Sequence, residues 1–225
     1  MIQQKAAKIK GVADIVFCID FSGSMEPCIE GVKNHVNTFV KSLETASPNT
    51  KIDWRIAFCA YSNDTLIVQD FVKDTGIFSS NLSSINTMGD EFTPGAVDFC
   101  ITYFKWRPVS NKFIIVFTDE TLEGGSSSDN GNGSSKYEEL LKKIENSRSR
   151  LFFYGPRCSY YSQLEKISRT FVEYLESGGF STVNFSSLLS SLGKTVSQSC
   201  TNQQQESSSD MDYIYEFKNF NIKNI

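Results

Sequence analysis

The sequence predicts an α/β fold: a doubly wound, mostly parallel central sheet with one antiparallel edge strand and helices on both faces. Short apolar runs alternate along the chain with longer segments whose apolar residues recur at helical spacing. Only one pair of successive strands is joined by a short turn, so the other strands need crossover connections. Strands that alternate with helices in this way typically form an open sheet covered by helices.

The elements of the first half are predicted from apolar runs, alternation and helical spacing. In order, they are a buried strand at 13–19, a helix at 27–43, alternating strands at 52–60 and 65–72, a short helix marked by Leu82 and Ile85, and a helix at 94–105. A Ser62-Asn63-Asp64 turn joins the two alternating strands, which therefore form a hairpin.

The second half continues the alternation of strands and helices. Its predicted elements are a strand at 113–118, a helix at 135–146, a strand at 151–154, a helix at 160–168, a strand at 171–175 and a helix at 184–196. The Gly- and Ser-rich segment 123–134 has nothing to bury and is expected to be a mobile loop.

These elements define one domain at 13–199, preceded by an extension at 1–12 and followed by a linker and tail at 200–225. The segment 201–210 is rich in Gln and Ser, whereas 211–225 is aromatic and aliphatic. A tail of this kind is expected to cover an edge strand or a groove of its own domain. Docking onto a neighbouring molecule is the alternative.

Three oxygen donors follow the first strand in a tight turn. Asp20, Ser22 and Ser24 lie at alternate positions just before a helix. A carboxylate and two hydroxyls suit a hard divalent cation, and Mg²⁺ in particular tolerates few protein charges while it keeps water in the remaining positions. The turn therefore predicts a metal site.

Further oxygen donors follow at the ends of other elements. Thr93 directly precedes Pro94, which predicts Thr93 as the N-cap of a helix, and Asp119 ends the apolar run 113–118. Ligands of an open parallel sheet bind outside the carboxyl ends of its strands, at the point where strand order reverses. Asp20 and Asp119 both follow strand ends, so we expect them to meet there with Thr93.

Asp-x-Ser-x-Ser, then a lone Thr, then a strand-terminal Asp, in this order, resembles the von Willebrand factor A domain family and its metal-ion-dependent adhesion site (MIDAS). The resemblance covers residues 13–192. It implies a Rossmann-like fold in which Asp20, Ser22, Ser24, Thr93 and Asp119 surround Mg²⁺, or alternatively Mn²⁺ or Ca²⁺, directly or through water. It also implies a binding module, not an enzyme. A Glu or Asp of another protein would complete the coordination sphere of the cation.

One residue departs from the family pattern. Glu120 follows Asp119, where many family members have a small residue. Its side chain would either repel an incoming carboxylate or point to solvent, and the second interpretation is the expectation.

Other kinds of site fit the residues less well. An EF-hand loop needs Gly at its sixth position and Glu at its twelfth, where this chain has Met25 and Gly31. A metal-dependent phosphotransferase or hydrolase using Asp20 remains the alternative, although a phosphotransferase pattern has a second Asp where this chain has Ser22. His35 is the single histidine and is expected to be a surface or boundary residue.

Composition indicates which classes of partner and which cellular compartment to expect. The formal net charge is −4 and the basic residues are scattered, which argues against a nucleic-acid partner. No segment has the run of about 20 apolar residues that spans a membrane, and the N-terminus does not resemble a secretory signal. Cys18, Cys59 and Cys100 are expected to be buried, reduced thiols. We therefore expect a cytoplasmic adaptor in a larger assembly, and its oligomeric state stays open.

Overall fold

The structure is a computed structural model that describes residues 9–46, 51–62, 65–87, 93–121, 133–201 and 221–225. Its strands are β1 (Ile9–Asp20), β2 (Lys51–Tyr61), β3 (Thr65–Val72), β4 (Asn111–Phe117), β5 (Arg150–Gly155), β6 (Thr170–Tyr174) and β7 (Asn221–Asn224). Its α-helices are α1 (Glu26–Thr45), α2 (Thr75–Ser83), α3 (Thr93–Tyr103), α4 (Gly133–Ser147) and α5 (Phe185–Thr201). Short 3₁₀ helices lie at Gly23–Met25, Tyr161–Lys166 and Gly179–Thr182.

The strands form one seven-stranded sheet in the order β6-β5-β4-β1-β2-β3-β7. Strand β1 pairs in parallel with both β2 and β4, and β5 and β6 continue the parallel arrangement. The hairpin of β2 and β3 is the one antiparallel pair among the described residues. The predicted fold class is confirmed. The structure adds β7, which pairs in parallel with β3 and lies outside it.

Side chains on both faces of the sheet are buried because helices cover both. Ile15 and Phe17 of β1 belong to a core cluster that includes residues of α1, α2 and α5. Val16 and Cys18, which point to the opposite face, belong to a second cluster with residues of α3 and α4. This two-sided burial explains why β1 is a nearly continuous apolar run.

Helices α1 and α5 approach each other closely at two glycines. A Cβ atom at Gly193 would lie 2.3 Å from the Phe39 carbonyl oxygen, and one at Gly31 would lie 2.2 Å from the Phe185 ring. A larger side chain would force the helices apart, because the nearest atom at Gly193 is backbone. This contact holds α1, and hence its N-terminus, against the sheet.

An ion-pair network closes the other end of the central strands. The buried Asp14 carboxylate accepts hydrogen bonds from Arg55 Nε (2.7 Å), the Arg107 backbone N–H (2.7 Å) and Ser110 Oγ (2.9 Å). Burial by itself would raise the pKa of Asp14, but the hydrogen bonds from Arg55 and Arg107 and the charges of these two residues outweigh it and lower the pKa. The network therefore ties β1 to β2 and to the loop before β4.

Two segments differ from their predicted form. The predicted helix at 160–168 is the 3₁₀ helix Tyr161–Lys166. The helix predicted from Leu82 and Ile85 is α2, which ends before Ile85. It begins after Asp74, because the Asp74 carboxylate accepts the Gly76 and Ile77 N–H groups and so caps the helix. None of the helices in the described ranges combines the length and apolar content needed to cross a lipid bilayer.

Strand β7 pairs with β3 of the same chain, which is the fold-back arrangement expected of the tail. The Ile225 N–H extends the pairing by donating to the Val68 carbonyl at 3.1 Å. The predicted linker and the remainder of the tail, at 202–220, and most of the predicted loop, at 123–132, lie outside the described residues. Gly133 and Ser134, which were expected to belong to that loop, begin α4.

Candidate metal centre

The candidate site lies where the strand order reverses. Strands β1 and β4 are neighbours, but the chain proceeds from β1 to β2 on one side and from β4 to β5 on the other. Asp20 is the last residue of β1, and Thr118 and Asp119 directly follow β4. Such a switch point forms a crevice outside the carboxyl ends of the two strands. The residues that follow these strands therefore converge on one crevice.

The turn after β1 is organised around Asp20, which is fully buried. Its Oδ1 accepts the Ser22 N–H at 2.8 Å, which is the local turn that aspartate side chains favour. The Ser22 Oγ and the Ser24 Oγ lie 3.1 Å apart. The 3₁₀ helix Gly23–Met25 then leads into α1, which carries Pro27 in its first turn. Carboxylate and hydroxyl oxygens thus gather beside a helix N-terminus.

Thr118 joins this turn to the end of β4. Its buried hydroxyl donates to Asp20 Oδ2 at 3.0 Å and accepts the Glu120 N–H at 3.1 Å. The Thr93 Oγ1, at the start of α3, lies 3.2 Å from the Thr118 Oγ1. Three segments that are distant in sequence are therefore linked through one hydroxyl.

Tyr61 closes the site from β2, where it pairs with Asp20 in the β-sheet register. Its hydroxyl lies 2.8 Å from the Thr93 Oγ1. Burial raises the pKa of Tyr61 well above its ordinary value, and the Asp20 carboxylate raises it further. Tyr61 therefore stays protonated and can donate its hydrogen to Thr93.

A buried thiol lies near both aspartates. Burial raises the pKa of Cys28 well above its ordinary value, and the charges of Asp20 and Asp119 raise it further. Asp119 itself is half-buried. A buried thiol of this kind behaves as a small apolar side chain.

The structure brings the predicted site residues into one region. Asp20, Ser22 and Ser24 are connected by hydrogen bonds, Thr93 reaches Asp20 through Thr118, and Asp119 follows Thr118 directly. Thr93 was predicted to be the N-cap of this helix, but it is the first residue of α3. Its hydroxyl donates to the Glu120 carboxylate, in the loop after β4.

The expectation that Glu120 points to solvent is wrong. Its Oε2 accepts the Thr93 hydroxyl at 3.0 Å, because the Glu120 backbone is already anchored on Thr118. The side chain therefore belongs to the site and is only partly exposed.

Sequence reasoning missed two residues of this site. Thr118 is a polar residue directly between an apolar strand and Asp119, and that position was a signal for its role. Tyr61 gave no such local signal, because its place depends on the register of β2 against β1.

The donors fit a hard divalent cation. All of the predicted ligand atoms are carboxylate or hydroxyl oxygens, which suit Mg²⁺, Mn²⁺ or Ca²⁺ better than a soft metal. Within the part of the chain that the structure describes, no three His, Cys, Asp or Glu side chains are grouped so as to hold a metal. A cation held by the described donors would therefore depend on hydroxyls as well as on Asp20 and Asp119.

The fold and the crevice define an α/β domain whose polar site lies at the carboxyl end of a doubly wound sheet. The chain belongs to the von Willebrand factor type A domain family, whose model matches residues 14–195. Domains of this family generally act as protein-interaction modules and not as enzymes.

Solved structures with the same fold are distant in sequence. The SpRpn10 VWA domain is 13% identical with a TM-score of 0.55, and the match covers 75% of this chain and 92% of that one. An aerotolerance-related membrane protein from Bacteroides fragilis is 13% identical with a TM-score of 0.56, over 83% of this chain and 99% of that one.

A third similar structure is proximal thread matrix protein 1 from the mussel byssus, described with a zinc-occupied MIDAS motif. It is 16% identical with a TM-score of 0.58, and the match covers 85% of this chain and 47% of that one. None of the curated proteins compared with the chain matches it significantly. At these identities the similarity extends to the fold alone.

Proposed function

We propose that the chain is a Mg²⁺-dependent protein-interaction module with a MIDAS. Its cation would be held by Asp20, Ser22, Ser24, Thr93 and Asp119, directly or through water, with Mn²⁺ or Ca²⁺ as alternatives. A Glu or Asp of another protein would complete the coordination sphere. The module would serve as an adaptor in an intracellular, cytoplasmic assembly.

The observation that supports this proposal most strongly is the state of Asp20. Its carboxylate is fully buried, and its two oxygens accept the Ser22 backbone N–H and the Thr118 hydroxyl. A buried negative charge is costly, and a cation beside it would offset that cost. The hydroxyls of Ser22 and Ser24 lie on the same turn and add oxygen donors without adding charge.

The surroundings of the site favour an anionic partner. When bound, the cation would supply an electrophilic position to which a carboxylate oxygen can bind. The N-terminus of α1 begins just after Ser24, and the positive end of its dipole favours the same sign of ligand charge. Both effects point to an acidic side chain as the group that the module recognises.

The alternative function is a metal-dependent phosphotransferase or hydrolase with Asp20 as its nucleophile. Such an Asp must reach the substrate, but the Asp20 side chain has no exposed surface and both of its oxygens accept hydrogen bonds within the domain. We therefore propose a binding role without turnover. Purified protein should hydrolyse neither phosphate esters nor carboxylate esters above the level of the Asp20→Asn variant.

A capture experiment tests the proposed function. The immobilised chain is incubated with a cell extract in Mg²⁺ or in EDTA, beside Asp20→Asn and the exposed-site control Asp70→Asn. Proteins retained by the wild type and by Asp70→Asn in Mg²⁺, but lost in EDTA and with Asp20→Asn, would support the proposal. Capture that is equal in Mg²⁺ and EDTA would contradict it.

A further inference from the structure

Arg157 lies in the loop that follows β5, beside the candidate site. Gly155 ends β5, and a Cβ atom there would lie 3.2 Å from the Thr118 Cγ2, so this strand end lies against the residue that precedes Asp119. Because consecutive Cα atoms are about 3.8 Å apart, the Arg157 Cα lies within about 7.6 Å of the Gly155 Cα. The loop therefore opens onto the same edge of the sheet as the crevice.

The Arg157 guanidinium is held in place by an aromatic ring. Its Cζ lies 4.1 Å from the centroid of the Tyr174 ring, at the end of β6. A guanidinium that already stacks on a ring has less rotamer freedom to lose when it binds an anion. The next residue, Cys158, is buried, and its carbonyl accepts the Ser162 N–H at 3.1 Å, which anchors the loop on the 3₁₀ helix Tyr161–Lys166.

The charge of Arg157 is not used within the part of the chain that the structure describes. Its side chain is exposed, and no carboxylate of the described residues forms an ion pair with it. At the other end of the central strands, by contrast, Arg55 and Arg107 both pair with the Asp14 carboxylate. The N–H groups of the Arg157 guanidinium therefore remain available to an acceptor outside the domain.

Arg157 is also the one basic residue in the loops at this edge of the sheet. These loops join β1 to α1, β2 to β3, α2 to α3, β4 to α4, β5 to the helix Tyr161–Lys166, and β6 to the helix Gly179–Thr182. In sequence they carry eight acidic residues, which are Asp64, Asp90, Glu91, Asp119, Glu120, Glu123, Asp129 and Glu176. A carboxylate that approaches the cation would therefore be repelled by these loops and attracted by Arg157.

We propose that Arg157 is a second recognition point for the partner, an inference that rests on the proposed function. One carboxylate of the partner completes the coordination sphere of the cation, and a second carboxylate of the same segment accepts hydrogen bonds from the Arg157 guanidinium. A guanidinium suits this role because two of its N–H groups can bind both oxygens of one carboxylate. The module therefore prefers a segment with two acidic residues to a segment with one.

The test uses peptides in which two glutamates are adjacent or are separated by one, two or three glycines. Each is compared with the two peptides in which one of its glutamates is replaced by glutamine. NMR titration of the Mg²⁺-saturated protein measures the affinities. Arg157→Gln removes the charge, Arg157→Lys keeps the charge without the planar fork, and Lys105→Gln is the control for net charge. Lys105 is exposed, and its carbonyl accepts a hydrogen bond from Arg55 at the opposite end of the sheet.

The expected result is a gain from the second glutamate that depends on Arg157. Two independent carboxylates would give the sum of the two single-glutamate affinities. At one spacing or more, the wild type should exceed this sum by about twofold to fivefold, the contribution of one exposed ion pair. Arg157→Gln should fall to the sum with its Mg²⁺ affinity retained, Arg157→Lys should keep part of the gain, and Lys105→Gln should keep all of it. Because the ion pair is exposed, high salt should reduce the gain.

A second measurement needs no variant. The Nε–H signal of Arg157 in the wild type should shift when a two-glutamate peptide of the favoured spacing is added, and it should not shift with the single-glutamate peptides. This signal keeps the test decisive if Arg157→Gln folds poorly, because it reports on the guanidinium itself.

The outcomes separate this inference from the proposed function. If the wild type binds single-glutamate peptides in Mg²⁺ but gains nothing from a second glutamate at any spacing, or if Arg157→Gln keeps the gain, this inference is overturned and the proposed function stands. If the wild type binds none of the peptides in Mg²⁺, or binds them equally well in EDTA, the proposed function is overturned together with the inference.

Discussion

Replacing Thr118 with valine should destabilise the metal-free protein by about 1.5–3 kcal/mol, the usual contribution of a hydrogen bond to a charged group. The Thr118 side chain is fully buried, and valine nearly matches its shape, so the change removes a hydroxyl without opening a cavity. That hydroxyl donates to the buried Asp20 carboxylate at 3.0 Å and also accepts the Glu120 N–H at 3.1 Å. Its loss leaves Asp20 with less compensation for burial.

Urea unfolding followed by circular dichroism in EDTA measures this loss as a lower midpoint with an unchanged slope. For a chain of about 150–250 residues, each kcal/mol lowers Tm by about 2–4 °C, so the expected fall is about 3–12 °C. Thr102→Val is the control, because the Thr102 hydroxyl donates within its own helix, to the Asp98 carbonyl at 2.9 Å and the Phe99 carbonyl at 3.4 Å, and not to a charged group. If Thr118→Val loses no more than this control, the hydroxyl does not stabilise Asp20, and the reasoning fails.

Three further predictions concern the fold. Asp14→Asn should be less stable than the wild type at neutral pH. Because the folded-state pKa of Asp14 is lowered, the stability that its charge contributes is present above the ordinary Asp pKa of about 3.9 and is lost as pH falls through the folded-state pKa. The urea midpoints of the variant and the wild type should therefore converge in acid. Gly193→Ala should cost about 1–3 kcal/mol by overpacking, measured by thermal melting. The control for this change is Gly23→Ala, which should be tolerated because a Cβ atom there would meet nothing within 4 Å. All six cysteines are buried, and burial raises the pKa of Cys200 to about 12. An aromatic disulfide reagent should therefore modify the thiols only after denaturation. Rapid labelling of the native protein would contradict this burial.

The sequence supported the fold class because burial on both faces leaves a strong pattern. The apolar run of β1 and the helical spacing in α1 record contacts with two core layers, so local periodicity was enough to order these elements. Strand β7 has no such pattern. Its residues Asn221–Asn224 are all exposed, and its place is set by backbone pairing with β3, which side-chain periodicity cannot predict.

The candidate site shows the same division between local and long-range signals. Asp20, Ser22 and Ser24 lie within one turn, where their spacing alone indicates a cation site. The contacts of Tyr61 and Glu120 with Thr93 depend on how β1, β2, β4 and α3 come together. Sequence separations of 32 and 27 residues make such contacts invisible to a local motif.

The most direct test of the account is titration calorimetry of the wild-type chain with Mg²⁺, beside Asp20→Asn. The wild type should bind one Mg²⁺ ion per chain saturably and the variant none, and the variant should remain folded because it removes a buried charge. The same titration of Mg²⁺ into protein-free buffer provides the blank. An absence of Mg²⁺ binding to the wild type at millimolar concentration, or equal binding to Asp20→Asn, would contradict the central claim that these oxygens form a cation site.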